Sequence, residues 1–170
     1  MSVLPTLAGE RVTLRPLEEE DVDALVAIAE SDGVREWWGV DDSRDETREA
    51  LRSDGMAFMI EVRGERAGWL GIGEVEDPNY HSAGMDIVLA APFQGRGLGP
   101  DALRLAARWL IAERGHHRLT IDPAAANERA IRAYASIGFK PVGVMRRYER
   151  LAGDEWHDGL LMDLLAEELT

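Results

Sequence analysis

The feature that most constrains this chain is a short glycine-rich turn, Gln94-Gly95-Arg96-Gly97-Leu98-Gly99. It stands between an apolar run, Met85 to Ala91, and the best amphipathic stretch in the sequence. From Leu98 to Glu113, helical spacing puts Leu98, Ala102, Leu105, Ala106, Trp109 and Leu110 on one face. A buried strand therefore feeds a helix through glycines. Glycine lets the backbone approach a ligand closely, and the free amides at a helix start favour an anion. The dinucleotide-binding fingerprint fits poorly, because it occupies the first βα turn with a longer glycine spacing. No Gly-Lys-Ser/Thr follows, which excludes a P-loop.

The rest of the chain predicts a mixed sheet. Arg11 to Arg15 alternates and reads as a strand stopped by Pro16. Glu18 to Glu30 has Val22, Leu25, Val26 and Ala29 at helical spacing with acids in its first turn. Ser43 and Glu46 form a capping-box pattern for a short helix to Arg52. Met56 to Val62 and Arg66 to Gly73 read as a hairpin across Arg63-Gly64-Glu65, followed by a polar loop from Glu74 to Ala83. Arg118 to Ile121 is a short strand, Asn127 to Ile137 a helix, and Val142 to Arg147 and Trp156 to Leu161 are strands. The predicted order is β-α-α-β-β-β-α-β-α-β-β, an α/β (α+β) arrangement with helices on the faces of the sheet. With 170 residues and no visible linker or repeat, residues 1–170 are expected to form one domain.

Composition narrows the function. Without cysteine there is no disulfide scaffold, thiol nucleophile, zinc ribbon or iron–sulfur cluster. Lys and Arg number 19 against 32 Asp and Glu, a net charge of −13 that disfavours nucleic acid and attracts polycations. Acidity of this kind also simply keeps a protein dissolved. No apolar run reaches the roughly 20 residues that span a bilayer. The first ten residues lack the pattern of a secretory signal, so a cytoplasmic protein with no membrane partner is expected.

Two segments carry a family resemblance. Gln94-x-x-Gly97-x-Gly99 resembles the pyrophosphate signature of the GNAT superfamily of N-acetyltransferases. Asn127-x-x-Ala130-Ile131-x-x-Tyr134-x-x-x-Gly138-Phe139 is similar to a second block of that superfamily. The resemblance implies a twisted, mostly antiparallel sheet of about seven strands and acetyl-CoA as acetyl donor. It implies that Gln94, Gly95, Arg96, Gly97, Leu98 and Gly99 cradle the pyrophosphate. Ile87, Val88, Leu89, Asn127, Ala130 and Tyr134 would hold the remainder of the donor. Pro100 and Asp101 depart from the pattern: proline removes an amide donor and Asp101 repels phosphate. Arg96, with Arg104 or Arg129, is expected to compensate.

Within the superfamily, Val12-Thr13-Leu14-Arg15, Glu36-Trp37-Trp38-Gly39, Gly84-Met85-Asp86, Leu89-Ala90 and Thr120-Ile121-Asp122-Pro123 resemble aminoglycoside 6'-N-acetyltransferases. Trp156 to Met162 is more similar to acetyltransferases of ribosomal-protein N-termini. The first likeness implies a small polycationic amine as acceptor, an antibiotic 6'-amino group above all. Protein N-termini and polyamines are the alternatives. A binding-only acyl-CoA sensor is a further alternative, although it would have no use for both Asp86 and Tyr134. Oligomeric state is open.

Several residues carry two readings each. Trp37 and Trp38, near Glu36, Asp41 and Asp42, suit sugar rings bearing ammonium groups, or else fill the core. Asp86 interrupts an apolar run, where a carboxylate is costly unless paired or used. The resemblance makes it the acid that takes the acceptor's proton. Asp122 is either its companion acid or a cap for the following segment. Asp154 either binds a second ammonium or belongs to a hairpin turn. Tyr80 and His81 would border the acceptor. Tyr134 either protonates the departing thiolate, as the resemblance implies, or packs in a helix core.

The amine has a reference pKa of roughly 10 and must lose a proton before it attacks. Asp86 is the expected base, with a low aspartate pKa implying a water relay. Amides of Ile87 to Leu89 would hold the developing oxyanion. His116-His117 are expected to complement the long helix's dipole. His157-Asp158 lacks metal-ligand spacing, and no metal is implied.

Overall fold

The computed structural model describes residues 4–38, 56–151, 153 and 155–170. Its strands are β1 (Leu7–Ala8), β2 (Thr13–Pro16), β3 (Met56–Val62), β4 (Glu65–Val75), β5 (Ser82–Leu89), β6 (Arg118–Ile121), β7 (Lys140–Arg150) and β8 (Trp156–Leu165). Its helices among the described residues are α1 (Val22–Ala29), α2 (Leu98–Ala112) and α3 (Glu128–Ala135). The strands form one open sheet in the order β1-β2-β3-β4-β5-β6-β8-β7. Every neighbouring pair is antiparallel except β5 with β6.

Strand alternation divides the core between the two faces. Phe58 and Ile60 enter the larger cluster with Leu70 and the α2 residues Leu103, Ala106 and Leu110. Met59, between them, faces the other way and meets Leu25, Ile28 and Val34, with Trp38, Trp69 and Val88 packed alongside. Thus α1 covers one face and α2 the other, as the helical patterns predict. The buried arc of α2 includes Leu103 and Ala107, whereas Leu105 and Trp109 are only partly buried. Trp109 instead meets Phe58 edge-on, with centroids 5.8 Å apart.

Among the described residues the sheet has eight strands against the expected seven or so, because β1 is added at its edge. That strand is two residues long, too short to show a period. The Glu18–Glu30 helix begins with a 3-10 turn, Glu19–Asp21. Asp21 is fully buried and accepts from both terminal nitrogens of Arg15 (2.8 and 2.9 Å) and from Arg66 Nε (2.7 Å). This pairing ties the start of α1 to β2 and β4. The Glu74–Ala83 loop is shorter than expected, since ladder bonds carry β4 to Val75 and start β5 at Ser82. At its far end β5 stops at Leu89, and Ala91 lies in a 3-10 turn. β7 and β8 likewise outrun their predicted limits by pairing with each other and, at the end of β8, with β6. The helix expected at Ser43–Arg52 lies outside the described residues.

One consequence of this topology positions the site. β5 and β6 pair only at Ala83↔Leu119 and Gly84↔Thr120. β5 then continues for five residues to Leu89 without β6, and the sheet opens between them. Polar backbone on that side of β5 is left for a ligand.

Candidate active site

A cleft of about 1250 Å³ occupies the opening between β5 and β6. Asp86, Ile87, Val88 and Leu89 line it from β5, and Asp122 from the end of β6. The glycine-rich turn closes one end, contributing Gln94, Gly95, Gly97, Leu98, Gly99 and Pro100. Asn127, Ala130 and Tyr134 face it from α3, and Trp37 and Trp38 from the segment after α1.

The turn is built for an anion. Gly97 is the N-cap of α2 with φ 76°, a left-handed conformation that glycine adopts without strain. A Cβ there would also stand 3.1 Å from the Arg11 guanidinium. The first return bond of α2 runs from Asp101 N–H to the Gly97 carbonyl at 3.2 Å. The preceding amides are the donors that every helix start leaves over. Pro100 removes one of those donors but no helical bond.

Asp101 does not oppose the anion as its sequence position suggests. Arg11 Nε donates to it at 2.6 Å and Arg104 Nη1 at 3.1 Å, offsetting its charge. Arg11 also donates to the carbonyls of Arg96 (3.0 Å) and Gly97 (3.3 Å), bracing the turn against β2. Sequence reasoning missed Arg11, whose partner lies 90 positions away. Of the three arginines expected to compensate, Arg104 does so at Asp101. Arg129 Nη2 donates to Gln94 Oε1 at 2.7 Å, while Gln94 Nε2 donates to the Leu89 carbonyl at 2.7 Å. Gln94 thus links the end of β5 to α3. Arg96 is not among the residues lining the cleft.

At the other end, acids gather. Asp86 opens onto the cleft instead of lying buried, correcting the expectation of a buried carboxylate. The walls nevertheless strip water from its carboxyl, and this, with the nearby charge of Asp122, pushes its pKa up to about 6. The low value expected from sequence is overturned. Burial raises the Tyr134 phenol well above its ordinary range, and Asp86 and Asp122 raise it further. Tyr134 also meets Phe139 edge-on at 6.4 Å, so the core packing and the cleft-facing position coexist. Asn127 caps α3, its Oδ1 accepting from Ala130 N–H at 3.1 Å, while also lining the cleft.

Two further residues escaped the sequence reading, Tyr148 and Glu149. The predicted strand stopped at Arg147, just short of both. The β7–β8 ladder pairs Met145 with Gly159 and then Glu149 with His157, so residues 146–148 bulge opposite a single residue. Arg147 sits at φ 50°, its N–H donating to Asp158 Oδ1 at 2.8 Å. The Tyr148 ring lies over Gly159, where a Cβ would come within 2.8 Å of it. A hydrogen bond from the Tyr148 hydroxyl to Asp122, with burial, pushes its pKa up to about 12. Asp122 therefore lines the cleft close to Asp86 and Tyr148. Glu149 is raised by burial and by Asp122.

The remaining expectations divide. Trp37 is 37% exposed at the cleft. Trp38 also lines it while packing edge-on against Trp69 at 5.5 Å. Tyr80 is 73% exposed and is not brought to the cleft, because it lies ahead of the end of β5 that pairs with β6. His81 stacks on His116 with ring centroids 4.2 Å apart. His116 is buried against Glu74 (2.6 Å), so it also forms part of this packed pair. Asp154 lies outside the described residues.

A splayed β5 with open backbone, a glycine turn at a helix start and a carboxylate beside them define an acyl-CoA-dependent acyltransferase. The family model described as an acetyltransferase (GNAT) domain matches residues 11–140, and the chain belongs to this family. Acetyl-CoA is its acetyl donor. The aminoglycoside N(6')-acetyltransferase type 1 of Klebsiella pneumoniae is 29% identical over 161 residues, covering 82% of this chain and 79% of the relative. The spermidine N(1)-acetyltransferase of Escherichia coli K12 is 27% identical over 143 residues, covering 80% and 76%. Among solved structures, Mycobacterium smegmatis RimJ in complex with CoA-disulfide aligns with a TM-score of 0.81 at 27% identity, covering 93% of this chain and 83% of that one.

Proposed function

We propose that this chain acetylates a primary amine of a small polycationic acceptor, with the 6'-amino group of an aminoglycoside favoured. The observation that carries this reading is the acidic end of the cleft. Asp86, Asp122 and Glu149 stand there beside Trp37 and Trp38, next to a turn suited to pyrophosphate. Carboxylates attract ammonium groups and tryptophan faces hold them through cation–π contact, worth roughly 0.5–2 kcal/mol. Residues 1–170 act as one domain, and the reaction takes place in the cytoplasm.

The residues fit the donor. Amides of Gly95, Gly97, Leu98 and Gly99 take the pyrophosphate, with Gln94 and Arg129 bracing the turn. Arg96 contributes from outside the cleft. Backbone of Ile87, Val88 and Leu89, with Asn127 and Ala130 opposite, takes the pantetheine arm. When bound, acetyl-CoA supplies a thioester carbon open to attack and a thiol leaving group.

Asp86 is the general base, directly or through a water. A carboxyl pushed up to about 6 is better matched to an amine proton than an ordinary aspartate. Asp122, hydrogen-bonded by the Tyr148 hydroxyl, stands beside it and orients the ammonium. Amides of the Ile87–Leu89 segment stabilise the developing oxyanion. Tyr134 stays protonated because its pKa is raised, so its O–H is available to the departing sulfur.

Spermidine is the second reading, favoured by the same carboxylates and by the 27%-identical relative named for it. Ribosomal-protein N-termini remain the third, on the likeness to RimJ. Thiol release from acetyl-CoA with kanamycin, tobramycin, spermidine and N-terminal peptides side by side separates them. Release with the aminoglycosides alone is the expected result. Turnover of peptides alone would discard the acceptor while leaving the chemistry.

A further inference from the structure

Arg11 is not among the residues lining the cleft, yet its bonds go to the glycine turn and the start of α2. Each guanidinium nitrogen has its own acceptor there. Nε donates to Asp101, Nη1 to the Arg96 carbonyl and Nη2 to the Gly97 carbonyl. In a planar trans peptide, the carbonyl of one residue and the N–H of the next point in opposite directions. Holding the Arg96 and Gly97 carbonyls therefore fixes the direction of the Gly97 and Leu98 amides, away from Arg11. Both of those residues line the cleft. A cation on a carbonyl also polarises its peptide unit, which makes the N–H a stronger donor.

The base of the side chain is equally fixed. Arg11 lies in the tight turn between β1 and β2, where Ala8 pairs with Thr13 and Gly9 N–H donates to the Val12 carbonyl at 2.9 Å. A Cβ on Gly9 would stand 3.0 Å from that carbonyl oxygen and 3.2 Å from Leu105 Cδ2. The turn is thus packed on α2, the helix whose start Arg11 holds. The geometry points to Arg11 as a positioning residue for the donor, aiming the Gly97 and Leu98 amides at the pyrophosphate from behind the turn. This rests on the reading of the turn as the pyrophosphate site and names what keeps it in shape. Offsetting the charge of Asp101 is a separate effect, and the test keeps the two apart.

CoA is titrated calorimetrically into the full chain and into Arg11→Gln, Arg11→Lys, Asp101→Asn and the Arg11→Gln/Asp101→Asn pair. Arg11→Gln is expected to weaken CoA by about tenfold. Lysine keeps the charge without the planar fork, so Arg11→Lys should remain several-fold weaker than the unsubstituted chain. Asp101→Asn leaves both carbonyl bonds in place and should bind CoA at least as tightly as before. Adding Arg11→Gln to it should again cost several-fold. KM for acetyl-CoA should rise by the same factors, and KM for the acceptor should not. Thermal melts show that each variant folds, and Arg11→Lys carries the test if Arg11→Gln does not fold. Unchanged CoA affinity in Arg11→Gln overturns the inference. So does full recovery in Arg11→Lys or in the double variant, either of which would reduce Arg11 to a charge that offsets Asp101. Failure of the unsubstituted chain to bind CoA sinks the underlying reading, an outcome visible before any variant is made.

Discussion

At the scale of single residues, the proposed mechanism has Asp86 and Tyr134 use the same surroundings in opposite ways. Crowding and neighbouring acids raise both pKa values, which makes the carboxyl a better base and keeps the phenol a donor. Asp86→Asn is expected to lower kcat/KM by roughly 10²- to 10⁴-fold while acetyl-CoA affinity holds, measured by thiol release and calorimetry. In the unsubstituted chain, kcat/KM should rise as pH rises through about 6, where Asp86 loses its proton. A limb near pH 4 instead would deny Asp86 that role. The sign of its stability effect follows. The folded value lies above the unfolded one, so the folded state binds more protons between them and stability falls as pH rises through that window. Asp86→Asn should therefore raise Tm at neutral pH, by a few degrees on the usual scale of about 4 °C per kcal/mol. Tyr134→Phe keeps the packing against Phe139 and removes the donor. It should lower kcat by roughly tenfold to a hundredfold with little change in Tm, and an unchanged kcat would return Tyr134 to a packing role.

At the scale of elements, the structure depends on where ladders stop and where ion pairs anchor them. The buried Asp21 joins the 3-10 turn before α1 to β2 and β4 through Arg15 and Arg66. Burial alone would raise its pKa. The guanidiniums of Arg15 and Arg66 and the Glu18 amide outweigh that and hold it at about 2. Because this value lies below the unfolded one, Asp21 stabilises the fold above about pH 4 and ceases to do so as pH falls towards 2. Asp21→Asn leaves two arginines without their buried partner and should cost about 3 kcal/mol at pH 7. The difference from the unsubstituted chain should shrink below pH 4. Urea titrations across that range read it directly, and a pH-independent difference would locate the loss in packing alone.

For the whole molecule, the excess of acids over bases bears on both substrates in opposite ways. With a net charge of −13, the protein attracts a polycation and resists a polyanion, apart from the helix-start amides. Raising salt from about 0.05 to about 0.5 M should raise KM for kanamycin several-fold, while KM for acetyl-CoA stays level or falls. Equal shifts in both would show that the overall charge does not guide the acceptor. No helix among the described residues is long and apolar enough to cross a membrane.

The sequence by itself determined the order of elements from β3 onward and the β2–α1 pair before it, the glycine turn before α2, the cap on α3 and two of the three carboxylates. These are local: a helical period, a left-handed glycine or an N-cap is written in neighbouring residues. Only the tertiary structure decided that Arg11 offsets Asp101 and that Tyr80 misses the cleft. It also decided that Tyr148 and Glu149 enter the cleft, since a bulge arises from the register between two strands rather than from either alone. The raised carboxyl of Asp86 belongs with these. Its cause is the meeting of β5 with the end of β6, brought together by the α2 crossover, and a sum over distant walls cannot be read from a local pattern.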